Sequence, residues 1–155
     1  METLIVKQFT SSPLQIVKKR IIKAPIERVW EIVADHKGMT QWMPMIKHVD
    51  LVKADDDGKW GQGCERHCQF GGDLLKEKIV HWDPPYGYAY MIEDMHLVKD
   101  HLAYIKLSKT GGSTEVVWEQ YYTPNGIAPQ RWIARNIMLP TVMAKALKNL
   151  TKKAA

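Results

Sequence analysis

The chain has little with which to cross-link itself: Cys64 and Cys68 are its two cysteines in 155 residues. That excludes a disulfide framework of the kind that holds small secreted domains together. No stretch approaches the ~20 apolar residues of a membrane-spanning helix. Met1 to Ser12 holds no apolar run long enough for a signal peptide, so a cytoplasmic location is expected. Acid is missing from one end. Between Gln120 and Ala155 there are six Lys and Arg and no Asp or Glu. The formal net charge of +5 is therefore local, since the rest carries 16 basic against 17 acidic residues. No aromatic and basic residues interleave in a recognition motif, so nucleic acid is not an expected partner.

Several chemistries are also missing. Asp55-Asp56-Asp57-Gly58 lacks the spaced acids and terminal glutamate of a calcium loop and reads as a solvated turn. Cys64 and Cys68 stand four residues apart on one strand, about 13 Å at ~3.3 Å per residue. That is too far for one disulfide or one zinc ion, and His67 points to the opposite face. No metal is expected. Gly61-Gln62-Gly63 lacks the third glycine of a dinucleotide loop and precedes a strand, and no Ser-His-Asp set can be assembled. No cofactor is expected.

What is there is ordinary for a globular chain, 45% hydrophobic and 25% charged. One domain over 1–155 is expected, with 1–12 as a poorly ordered N-terminal extension. Pro13 to Lys23 reads as a strand. Pro25 suits the first position of a helix, and Ile26, Val29, Trp30 and Val33 recur at helical spacing to Ala34. Met39 to Met43 forms a second short helical turn, and Ile46 to Ala54 a strand. Gly71-Gly72 then joins strands Gly63–Phe70 and Leu74–Trp82, a two-residue hairpin signal. Its register sets Arg66 opposite Glu77, Cys68 opposite Leu75 and Cys64 opposite Ile79 on one face. Glu65 with Lys78 and His67 with Lys76 fall on the other, which suits solvent.

Gly87 to Asp94 follows, with Tyr88, Tyr90 and Ile92 on one face. Gly111-Gly112 pairs Leu107 with Val116, Ile105 with Trp118 and Ala103 with Gln120, leaving Lys106 and Glu119 outside. His81 and His101 project inward by the same parity. Pro129 to Leu150 reads as one long helix. Ile133, Ile137, Met143, Ala144, Leu147 and Leu150 share one side of its wheel, and Arg131, Arg135, Lys145, Lys148 and Lys152 the other. Met138 and Val142 fall within the basic arc. Pro140 should kink this helix or remove a hydrogen bond, either as a ligand entrance or as a curve fitted to the sheet.

The order strand, two short helices, six antiparallel strands and a long helix predicts an α+β fold, a curved sheet wrapped around its C-terminal helix. Ala24-Pro25-Ile26-Glu27-Arg28-Val29-Trp30, Trp42-Met43-Pro44, Glu77 with Val80-His81-Trp82-Asp83-Pro84-Pro85 and Tyr90, and Gly112, Thr114 and Val116-Val117-Trp118 carry a family likeness. With these the chain, from about Lys18 to Leu150, resembles the helix-grip START/Bet v 1-like superfamily (SRPBCC). Within it, the chain resembles the polyketide cyclase/dehydrase and lipid-transport group. The resemblance implies a cavity between sheet and helix for a hydrophobic or amphipathic small molecule. No catalytic set of an enzyme member matches residue by residue.

The expected cavity lining is Arg66, Leu75, Glu77, Ile79, Tyr88, Tyr90, Ile92, Ala103, Ile105, Leu107, Val116, Trp118, Gln120, Ile133, Ile137 and Met143. The Arg66–Glu77 pair is either a structural cross-strand pair near the sheet rim or a polar anchor inside an apolar cavity. The tyrosines either line a cavity or fill a core. The expected function is binding or transport of such a molecule. The alternatives are a cyclase or dehydratase using Glu77, Arg66 and Tyr90, and a module contacting an anionic membrane surface weakly through the basic helix face.

Overall fold

The computed structural model describes residues 2–93 and 95–155. Its elements are α1 (Glu2–Phe9), β1 (Leu14–Ile22), α2 (Ile26–Ala34), a 3-10 turn (Lys37–Gln41), β2 (Ile46–Lys53), β3 (Glu65–Phe70) and β4 (Asp73–Asp83). There follow β5 (Gly87–Glu93), β6 (Val98–Thr110), β7 (Ser113–Pro124), α3 (Pro129–Ile133), a π-helical turn (Ala134–Met138) and α4 (Leu139–Ala154). The end of the fifth strand, read to Asp94, lies outside the described residues, as does Met1.

Seven strands form one antiparallel sheet in the order β1-β7-β6-β5-β4-β3-β2. Two-residue turns build its hairpins. Gly71 takes φ 57° and Gly111 φ 63°, the left-handed region that glycine enters without steric cost. Arg66 consequently faces Glu77, and Ile105 faces Trp118. The inner face of the sheet packs on the C-terminal helix, with α2 and the 3-10 turn closing one end through Val29, Val33, Met39 and Trp42. Met143, Ala146, Leu147 and Leu150 are the helix's buried face. Each large apolar side chain so buried contributes ~1.5–3 kcal/mol. The result is the α+β helix-grip architecture.

Three expectations are corrected. First, residues 1–12 carry helix α1, which lies on the outer face of the sheet. Val6 is buried there with Ala89, Leu102 and Tyr104, and Ile5 and Phe9 pack alongside. A bulge between Lys99 and Leu102 presents Asp100, at φ 52°, to the segment that follows the helix. The Asp100 carboxylate accepts from Thr10 Oγ1 (2.7 Å), Ser12 Oγ (3.0 Å) and the Ser11 N–H (3.3 Å).

Second, a bulge between Ile79 and His81 reverses the parity of β4 beyond it. His81 therefore lies on the outer face against Tyr104, while Trp82 turns inward onto Trp30 and Tyr88.

Third, the long helix is not one wheel. The Leu139 N–H donates to the Ala134 carbonyl five residues back, just before Pro140, which has no N–H to donate. The extra residue rotates the first half of the helix against the second. Ile133 and Ile137 are exposed, and so is Ala144. Met138 and Val142 turn inward instead of lying in the basic arc, and Arg135 is buried, donating to the carbonyls of Leu97 and Gly126.

Candidate ligand cavity

The central part of the inner sheet face holds a chain of buried polar groups. Arg66 Nε donates to Glu77 Oε2 at 2.6 Å, as the hairpin register requires. Arg66 Nη1 donates to His36 Nδ1 at 2.8 Å and approaches the Tyr88 hydroxyl at 3.4 Å. Since a guanidinium only donates, His36 Nδ1 accepts, and its Nε2–H donates to the Trp60 carbonyl at 2.7 Å. Burial and then the Arg66 charge push the His36 pKa down to about 4, so the ring is neutral. Arg66 also sits over the rings of Tyr88 (5.4 Å) and Tyr90 (5.3 Å). Burial alone would lower its pKa; facing Glu77 outweighs this, and the pKa is raised. Arg66 Nη2 has no hydrogen-bond partner among the described residues. His36 was not singled out in the sequence; a lone His after a helix carries no local signal of what it will meet.

Beside this chain lies a cavity of about 350 Å³, enclosed by the sheet, the 3-10 turn and the C-terminal helix. Leu75, Glu77, Tyr90, Ile92, Trp118, Gln120 and Met143 line it, all expected. Arg66 does not; it stands behind Glu77. Ile79, Tyr88, Ala103, Ile105, Leu107 and Val116 are packed into the core instead of lining it. Ile133 and Ile137 face solvent. Met39, Met43, Met95 and Met138 join Met143, so five of the eight methionines line the cavity. That is the one compositional signal that could have located it, because Met adapts to irregular and variable contents.

His101 also reaches the cavity, as its parity predicts. Its Nε2–H donates to Gln120 Oε1 at 2.6 Å and its Nδ1 accepts from the Ile92 N–H at 3.3 Å, so both ring nitrogens are occupied. Burial lowers its pKa to about 4 and raises that of the Tyr90 phenol well above its ordinary value. Cys64 and Cys68 are buried free thiols, and burial raises the pKa of both, Cys64 to about 11. Among the described residues no group of His, Cys, Asp or Glu is placed to hold a metal ion.

A sheet closed over a long helix, with a cavity between them and a few polar groups on its wall, defines the helix-grip class of folds. The profile of the family described as polyketide cyclase / dehydrase and lipid transport matches residues 13–155, and the chain belongs to that family. A search of curated proteins finds no match. Solved structures share the fold at low identity. A START superfamily protein from Mycobacterium smegmatis is 16% identical, with 91% of this chain and 94% of that one covered, at a TM-score of 0.68. Ara h 8.0201 is 15% identical over 92% and 98%, at 0.70. The protein XoxI from Bacillus cereus is 20% identical over 88% and 92%, at 0.70. The family match begins at Pro13, after α1.

Proposed function

We propose that the protein binds a hydrophobic or amphipathic small molecule between the sheet and the C-terminal helix, as a carrier or sensor. The cavity carries this reading. Its volume of about 350 Å³ falls within the ~300–1,000 Å³ of ligand pockets, with an apolar wall and few polar groups to fix orientation. Glu77, Gln120 and Tyr90 suit a hydroxyl or carbonyl on an otherwise apolar body. A cyclase or dehydratase needs a group free to give or take a proton. Glu77 is tied to Arg66, both nitrogens of His101 are engaged, and burial holds the Tyr90 proton on. Binding therefore accounts for the wall better than turnover does.

The test is titration with anilinonaphthalene sulfonate, together with native mass spectrometry of the purified protein. About one site is expected in native buffer. Val142→Phe, which projects into the cavity, should abolish it while leaving the fold intact. Binding only under partly denaturing conditions, or unchanged binding in Val142→Phe, refutes the reading. Turnover of a polyketide-like substrate would establish the enzyme instead.

A further inference from the structure

The N-terminal part of the C-terminal helix and the loop before it expose four large apolar side chains within eleven residues. Ile127 is 96% exposed, Trp132 53%, Ile133 51% and Ile137 54%. Exposed apolar residues scattered singly are normal; a cluster with a tryptophan in it marks a contact surface. The π-helical turn creates this arrangement. It points Ile133 and Ile137 to solvent while Ala134 and Met138, on the same turn, line the cavity. Further along α4, Lys145, Lys148 and Lys152 are exposed, and no acid follows Gln120. An apolar patch continued by a basic stripe matches a bilayer interface, where Ile and Trp enter the headgroup boundary and Lys meets anionic lipid.

We infer that Ile127, Trp132, Ile133 and Ile137, backed by Lys145, Lys148 and Lys152, form a docking surface for an anionic lipid bilayer beside the cavity. Among the described residues two acids line the cavity: Asp73, exposed at its edge, and Glu77, buried and neutralised by Arg66. Neither belongs to the helix. A second copy of the chain fits the patch less well, because a symmetric pairing would set one acid-free basic helix against another. No helix of the described residues is long and apolar enough to cross a membrane, so the contact is peripheral. The inference deepens the binding reading by giving a lipid-borne ligand a route to the cavity, but docking is measured without any ligand.

Co-sedimentation with vesicles of phosphatidylcholine alone, or mixed with phosphatidylglycerol, tests it. The protein should pellet with the mixed vesicles at low salt and less at 0.15 M salt, where the Debye length is about 8 Å. Ile133→Glu with Ile137→Glu should lower vesicle affinity about tenfold or more, as expected when the inserting side chains become charged. Lys145→Glu with Lys148→Glu should weaken binding and remove most of its salt dependence. Both double variants should keep the native circular dichroism and bind the fluorophore as the parent does. Three results overturn the proposal: no binding at low salt, equal binding to neutral vesicles, or vesicle binding unaffected by Ile133→Glu with Ile137→Glu. A concentration-dependent dimer lost in that variant, without vesicle binding, assigns the patch to a second copy and also overturns it. Loss of fluorophore binding in the parent sinks the cavity reading and leaves the docking result standing.

Discussion

Arg66 shows how much one residue can be asked to do. Its guanidinium is fully buried, yet it faces a carboxylate, a neutral imidazole and two tyrosine rings. Breaking one side of such a pair costs ~3–5 kcal/mol, because a buried charge is left uncompensated. Glu77→Gln should therefore destabilise strongly. Glu77→Leu with Arg66→Met removes both charges and leaves His36 Nδ1 and the Tyr88 hydroxyl without their donor, neutral losses of ~1–3 kcal/mol. Urea denaturation should show the double variant to be more stable than the single. Equal losses would mean that the pair does not stabilise as a unit.

A second expectation at this scale concerns pH. His36 and His101 have folded pKa values of about 4 against an ordinary 6.5, so the unfolded chain binds their protons more tightly. Stability is then complete above pH 6.5 and is lost as pH falls from 6.5 towards 4, by up to about 3 kcal/mol per histidine. Asp55, held below the usual carboxylate range by the Lys59 N–H, titrates below this window. Unfolding free energy measured between pH 7 and 4.5 should fall. His101→Gln should flatten the slope by about one proton's worth. A profile that is level over this range would show that neither ring is buried neutral.

At the scale of elements, what was legible depended on whether its signal was local. The hairpins were legible because Gly71-Gly72 and Gly111-Gly112 set their turns and registers within a few residues. Two one-residue insertions were not: the bulge before His81 and the π-turn before Pro140. Each shifts everything beyond it by one position, yet neither needs a particular residue at the site. The proline announces a disturbance but not its direction, so a single helical wheel puts Ile133 and Ile137 on the wrong side.

Helix α1 was missed for another reason. At eight residues it is too short for a helical period to show, and its partners Leu102 and Tyr104 lie about a hundred residues away. Placing a carboxylate at Val6, which is buried against the sheet, should cost about 1–3 kcal/mol in urea denaturation, and Asp100→Ala should loosen the same helix by removing its anchor. If Val6→Asp leaves stability unchanged, α1 is not seated on the sheet in solution. Removing residues 1–12 should leave the family fold intact with an exposed apolar outer face.

The molecule as a whole is a container whose outline follows from strand alternation and whose interior does not. Parity says which side chains face the helix; it does not say where along the strands the helix stands off. At the end near Ile105, Leu107 and Val116 the two layers meet and the inner face is solid. At the end near Leu75, Ile92 and Gln120 the rotated turn and the 3-10 segment leave the cavity. A ligand filling that space binds only the folded chain, so it must raise the melting temperature. At 100 times its dissociation constant the gain is ~2.7 kcal/mol. For a domain of this size that is roughly 5–10 °C. Val142→Phe should melt near the parent value without ligand and show no shift with it. Ile105→Trp, in the packed end, should lower the melting temperature by overpacking and still respond to ligand. Ile133→Glu with Ile137→Glu should keep the full shift. If Ile105→Trp loses the response while Val142→Phe keeps it, the ligand occupies the opposite end of the sheet and the cavity assignment is wrong.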